Sequence, residues 1–235
     1  MIYLRYAWDW LRAPAQWHGS GGIPVRILQQ LDYSGQSLLI AALIAVPLGV
    51  LIGHTGRGAA AVINVANAWR AIPTVGLLVL AVLTLGFPRD QHVLIPLAVL
   101  VPLVALAVPP ILVNAYEGVA GVDAGLKDAA RGMGMTAGQQ IRKVELPAAL
   151  PLIMLGLRTG AIFVVATATI AAYIGAGGLG RYIFDGLATQ DYGQVAGGAA
   201  CVVVLALVVQ LVFTVLRWVL TPVGLRSQSR ASQHT

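Results

Sequence analysis

The side chains able to do chemistry are few and scattered. His18, His54, His92 and His234 include no pair at the i, i+4 spacing of a helical metal site. Cys201 stands alone in an apolar stretch, which excludes an internal disulfide or a cysteine-based zinc cluster and reads as packing. Gly175-x-Gly177-x-x-Gly180 fits the spacing of a dinucleotide-binding turn, but such a turn follows a strand and precedes an acid by about 20 residues. Here an apolar run precedes it and Asp185 and Asp191 come too early, so a tight turn is the better reading. Neither Lys127 nor Lys143 follows a glycine, so the chain carries no Gly-x-x-x-x-Gly-Lys-Ser/Thr phosphate loop. Charges gather only in 117–147, where Glu117, Asp123, Asp128 and Glu145 balance Lys127, Arg131, Arg142 and Lys143. That balance does not suit a polybasic lipid-binding segment.

The elements that must carry these residues are set by composition. The chain has 235 residues, of which 15 are Lys or Arg and 9 are Asp or Glu, far below the roughly one-quarter charged content of a soluble domain. Hydrophobic residues make up 58% and the mean hydropathy is +0.81, more apolar surface than one core can hide from water. The basic balance, pI near 9.9, comes from residues spread along the chain, with no patch suited to nucleic acid. The sequence therefore predicts an all-α polytopic membrane protein, because only a helix satisfies its own backbone in lipid and about 20 residues cross the hydrocarbon. Five spans are predicted, near 34–53, 59–87, 92–115, 150–174 and 194–216, with Arg70 and Pro73 in the second and Arg158 in the fourth.

Lys and Arg favour the cytoplasmic side. Arg57, Lys127, Arg131, Arg142, Lys143, Arg217, Arg226 and Arg230 fall on one side, Arg5, Arg12, Arg26, Arg89 and Arg181 on the other, which predicts the N-terminus outside and the C-terminus inside. Residues 1–33, rich in Tyr and Trp and interrupted by Arg5 and Asp9, read as an outer interfacial segment rather than a cleaved leader. Residues 34–217 read as the membrane domain, and 218–235 as a disordered cytoplasmic tail. Gly49/Gly53 and Gly156/Gly160 place pairs of small residues on one helix face and read as helix-packing positions.

The polar stretch 117–147 is longer than a bundle connection needs. A helix is predicted up to Arg131, stopped by Gly132 and Gly134. Thr136-x-x-Gln139 is a capping-box pattern that starts a second short helix, with Pro147 as its exit. A short helix, a glycine turn and another short helix on the cytoplasmic face would suit docking in a groove of a partner.

Asp128-Ala129-Ala130, then Gly134, then Val144-x-Leu146-Pro147 resembles, in order and spacing, the cytoplasmic EAA signature of binding-protein-dependent ABC importer permeases. Asp128 stands where that family usually has Glu, and Val144 where it often has Ile. The resemblance implies a type I importer permease fold in which this loop forms the coupling helix, with Asp128, Ala129, Ala130, Arg131, Met133 and Gly134 at the ATPase interface. Arg70-Ala71-Ile72-Pro73, Gly156-Leu157-Arg158 and 174–180 are similar to segments of permeases for glycine betaine, choline, carnitine and proline. The implied partners are an ABC ATPase dimer, a second permease (identical or homologous), an external solute-binding protein and membrane lipid, at the bacterial plasma membrane. No cofactor is expected in this chain, and ATP and Mg²⁺ would be held by the ATPase.

For the pathway, an intramembrane charge beside a helix break marks Arg70 and Pro73, with Asn114 among several polar residues that could line it. The predicted spans hold no Asp or Glu, which disfavours an ion-coupled carrier or a carboxylate-dependent membrane enzyme. A methionine-type amino-acid permease is the neighbouring alternative, and an ATPase-independent channel or secondary carrier the alternative from another class.

Overall fold

The computed structural model describes residues 2–69, 73–86 and 96–220. Among them the chain is helical, without strands. The elements are α1 (Ile2–Arg12), a 3-10 turn (Pro14–Trp17), α2 (Ile23–Thr55), α3 (Ala59–Trp69), α4 (Thr74–Leu85), α5 (Leu97–Ala120), α6 (Ala124–Gly132), α7 (Ala137–Gln140), a π turn (Ile141–Glu145), α8 (Leu146–Ala171), a 3-10 turn (Ala172–Ile174), α9 (Gly180–Thr189) and α10 (Tyr192–Leu220).

Four helical runs are long and apolar enough to cross a membrane: Ile23–Thr55, Leu97–Ala120, Ala137–Ile174 and Tyr192–Leu220. Their bare apolar side chains, such as Leu39 and Leu43 on α2 and Val203, Leu207 and Leu211 on α10, require an apolar surrounding. Boundaries differ from the sequence expectation in physically instructive ways. α2 starts at Ile23, not near 34, because Gln30 is fully buried and hydrogen-bonded inside the protein rather than solvated outside it. At 33 residues the helix is about 50 Å long, more than the hydrocarbon alone demands. The predicted second span is two helices: α3 ends at Trp69, and Pro73, whose φ is −69°, caps the start of α4. A proline has no N–H to give and disfavours helix in the residue before it, so it opens a helix here instead of kinking one. Arg70, Ala71, Ile72, Arg89, the predicted start of the third span at His92, and the tail beyond Leu220 lie outside the described residues.

Pro147 does not end a helix either. The run continues through the π turn into α8, where the Leu146 amide reaches back to the Ile141 carbonyl. A wider turn next to the ring shifts the hydrogen-bond register locally instead of breaking the helix.

The chain forms two compact units, and α2, α5, α8 and α10 contribute to both. One comprises Met1–Ile40, Ile72–Ala107 and Ala161–Gln210. Its core gathers Ile23, Val165, Leu179, Tyr182 and Leu205, and the Trp10 ring meets Tyr182 edge-on at 4.9 Å between centroids.

The other unit comprises Ala41–Ala71, Val108–Gly160 and Leu211–Thr235, with Val50, Ala115, Val119, Ala149 and Ile153 at its core. Small residues set its spacing, as the sequence predicts for Gly49, Gly53 and Gly156. A Cβ on Gly53 would stand 2.7 Å from the Val119 Cβ, one on Gly49 would stand 2.6 Å from the Ala115 Cβ, and one on Gly156 2.8 Å from the Asn114 Cβ. α2, α5 and α8 thus meet almost backbone to backbone. Gly53→Val is expected to destabilise the protein by about 1–3 kcal/mol through overpacking, read as a lower melting temperature in detergent. Gly35→Val, where nothing lies within 4 Å, is expected to leave it nearly unchanged.

Candidate functional site

The 117–147 stretch folds into a short helix and a glycine turn, as the sequence predicts, but the helix that Thr136 starts is the head of the continuous run Ala137–Ile174 rather than a separate short helix ending at Pro147. Asp123 caps α6, its carboxylate accepting from the Leu126 amide at 3.0 Å. Gly134 takes φ +74°, a left-handed conformation that a side chain would strain. The capping box at α7 is formed: the Thr136 amide donates to Gln139 Oε1 at 2.9 Å and the Gln139 amide donates to Thr136 Oγ1 at 3.4 Å.

On this frame Asp128, Ala129, Arg131, Met133 and Gly134 are exposed, together with Leu126. Asp128 and Arg131 form an ion pair at 3.2 Å with both side chains largely in solvent, so it orders the face more than it stabilises it. Met133, 69% exposed, offers a flexible apolar contact. Ala130 is 1% exposed and leaves this face, its small side chain serving the packing of α6 within the chain. The result is a mixed polar and apolar surface on a turn with both flanking helices capped.

Two attachments hold the pair to the membrane helices. Lys127 Nζ donates to the Val119 carbonyl at 2.9 Å, supplying a positive charge at the C-terminal end of α5. Within the π turn, Glu145 is fully buried. Its two carboxylate oxygens lie 3.0 and 2.8 Å from His54 Nδ1 on the last turn of α2, and Gln140 Nε2 donates to its Oε1 at 2.9 Å. Sequence reasoning missed this cluster. Glu145 reads there as one acid among four, and its histidine lies 91 positions away.

The glycine-rich segment in the other unit is a built structure as well. Three successive amides are taken up by side chains of α2: Gly177 N–H by the Tyr33 hydroxyl at 3.3 Å, Gly178 N–H by Gln29 Oε1 at 2.9 Å and Leu179 N–H by Gln30 Oε1 at 3.2 Å. Gln30 also donates from Nε2 to the Val165 carbonyl and to Thr169 Oγ1. Gly178 takes φ +92°, which turns the chain into α9. Tyr182 on α9 donates to the Gly21 carbonyl. Burial pushes its phenol above the ordinary value against a smaller opposing pull from Arg26, so it remains a donor. α9 itself was not predicted, because the glycines before it mask its start.

Of the pathway candidates, Pro73 is exposed at the head of α4, and Asn114 turns back on its own helix, Nδ2 donating to the Pro110 carbonyl at 2.7 Å. Among the described residues no group of three or more His, Cys, Asp or Glu could hold a metal.

Long apolar helices make this a helical membrane protein, and the turn between α6 and α7 gives it an exposed face. The chain belongs to the binding-protein-dependent transport system inner membrane components, whose family description matches residues 45–222. It is 36% identical over 206 residues to the choline transport system permease protein OpuBB of Bacillus subtilis (strain 168), covering 88% of this chain and 92% of that one. It is 37% identical over 196 residues to the glycine betaine/carnitine/choline permease protein OpuCB of the same organism (83% and 87%). With the carnitine transport permease protein OpuCB of Listeria monocytogenes it shares 38% over 202 residues (86% and 89%). Its fold matches a chain of the MetNI methionine ABC transporter in an inward-facing conformation, at 25% identity and TM-score 0.72, covering 85% of this chain and 96% of that one. The protein is thus a multi-pass inner-membrane permease of a type I ABC importer, and that membership implies ATPase and binding-protein partners.

Gln30→Leu is expected to leave the Leu179 amide unpaired and to cost about 1–3 kcal/mol. Hydrogen exchange at 177–179 measures it: exchange should rise there while α7 stays protected, and unchanged exchange would show that the clamp does not hold the segment.

Proposed function

We propose that the chain forms the translocation pathway of an ATP-driven importer for a compatible solute such as glycine betaine, choline, carnitine or proline, and is driven by an ATPase dimer docked on the α6–α7 pair. The exposed face carrying Asp128, Arg131, Met133 and Gly134, capped at both helices and tied to α5 by Lys127, is the observation that carries the reading. ATP and Mg²⁺ belong to the ATPase. ATP-driven closure of that dimer would displace the pair and bias the membrane helices between two states.

The similarity of 36–38% to choline, glycine betaine and carnitine permeases favours a compatible solute. The likeness to the methionine transporter at 25% supports an amino-acid substrate as the second reading. The distribution of basic residues supports an outer N-terminus and a cytoplasmic C-terminus, with the α6–α7 pair inside. A second permease, identical or homologous, completes the pathway, and an external binding protein delivers the solute. Arg70, Pro73 and Asn114 are proposed to contribute to the pathway.

The test is ATP-dependent uptake of labelled glycine betaine into proteoliposomes holding this chain, its co-purified ATPase and permease partners, and the binding protein. Uptake is expected, and Asp128→Arg or Gly134→Pro should abolish it together with ATPase association. Retained transport in those variants would favour an ATPase-independent channel, while ATP hydrolysis stimulated by methionine but not betaine would move the substrate to the second reading. Arg70→Ala should alter uptake with assembly intact, and normal uptake kinetics would remove Arg70 from the pathway.

A further inference from the structure

We propose that His54, Glu145 and Gln140 form a positioning joint that makes α2 and α8 move as one body when the α6–α7 pair is displaced. This inference rests on the reading of that pair as the docking element. Its starting point is the cost of the arrangement. Glu145 is fully buried, and removing a carboxylate from water is expensive unless it is paired and hydrogen-bonded. Such a group adds little net stability over an apolar residue of similar volume, but it imposes direction and register.

The placement gives that direction a use. Glu145 closes the π turn between α7, which follows the exposed turn, and α8, which enters the membrane. Its carboxylate oxygens accept from Gln140 at the end of α7 and face His54 Nδ1 at the end of α2. One buried carboxylate therefore ties the end of α2 to the junction of α7 and α8, which form one continuous run. Gln30 ties α2 to the later part of α8 through Val165 and Thr169, and nothing else in the described hydrogen bonds links α2 to α7 or to the start of α8, so the joint fixes that end of α2 against α8. Among the described residues, the other packing of α2 in this unit includes Val50 in the apolar core and the close approach of Gly49 and Gly53 to α5. Smooth apolar contacts permit small sliding movements of packed helices, whereas a directional polar contact resists them. Lys127 ties α6 to α5 separately through the Val119 carbonyl. A push on the pair is thus delivered to α5 through Lys127, to α8 along the continuous run, and to α2 through Glu145.

The readout is the number of solute molecules imported per ATP hydrolysed by the reconstituted complex. His54→Ala should lower this ratio by about fivefold or more, the lower range of coupling between distant sites, while ATPase association and hydrolysis persist. His54→Asn, which places an amide N–H near the imidazole Nδ1, should restore most of it. Glu145→Gln, equal in shape but uncharged, should lower the ratio in the same direction and decides the matter if His54→Ala does not assemble. An unchanged ratio in these variants, or a fall that His54→Asn does not reverse, would overturn the joint. If the parent complex itself shows no ATP-dependent uptake, the importer reading fails first and separately.

Discussion

The structure depends on one constraint: a buried backbone polar group needs a partner inside the protein, because neither lipid nor a packed core offers one, although among the described side chains Arg26 Nε, the Ser34 and Ser37 hydroxyls and Trp69 Nε1 are buried without one. Long helices meet it internally over most of their length. The informative places are those where the chain leaves a regular helix and has to meet it some other way. At the glycine-rich turn, Gln29, Gln30 and Tyr33 stand in for water on three consecutive amides. At the end of α5, Lys127 takes a carbonyl, and at the start of α7, Thr136 and Gln139 satisfy each other's amides.

The same constraint separates what could be read from the sequence from what could not. Membrane helices were legible because lipid imposes long charge-free runs, and the α6–α7 pair was legible because caps and glycine stops act within a few residues. Thr136 and Gln139 are three apart, and their capping box forms as the pattern predicts. Gln30 was not legible, since its partners lie 135 to 149 positions away and two adjacent glutamines, Gln29 and Gln30, before the apolar run suggest solvent. Reading Gln30 as outside displaced the start of α2. Pro73, read as a break inside one span, stands between two separate helices, whereas Pro147, read as an exit, ends none, because a proline fixes only its own φ and its missing N–H. Whether it opens a helix, as at α4, or rides beside a π turn, as before α8, depends on what its neighbours can absorb.

The functional reading gains from this division. The residues that the EAA resemblance places at the interface are exposed, as are several of their neighbours, except Ala130, which the fold uses for its own packing. Glycines let α2 and α8 pack closely on α5. Transmission of a push from the exposed face would then fall to the directional ties at Lys127 and Glu145, since packed interfaces move between discrete arrangements more readily than they deform.

The central claim is that the face around Met133 is where the ATPase docks. A photo-crosslinking benzophenone side chain placed at Met133, in the complex co-expressed with its ATPase, tests it most directly, with Leu187 on α9 as the comparison position because it too is exposed. The account predicts covalent attachment of the ATPase from Met133 and none from Leu187. Attachment from Leu187 but not from Met133, or from neither in a complex that still hydrolyses ATP, would contradict it.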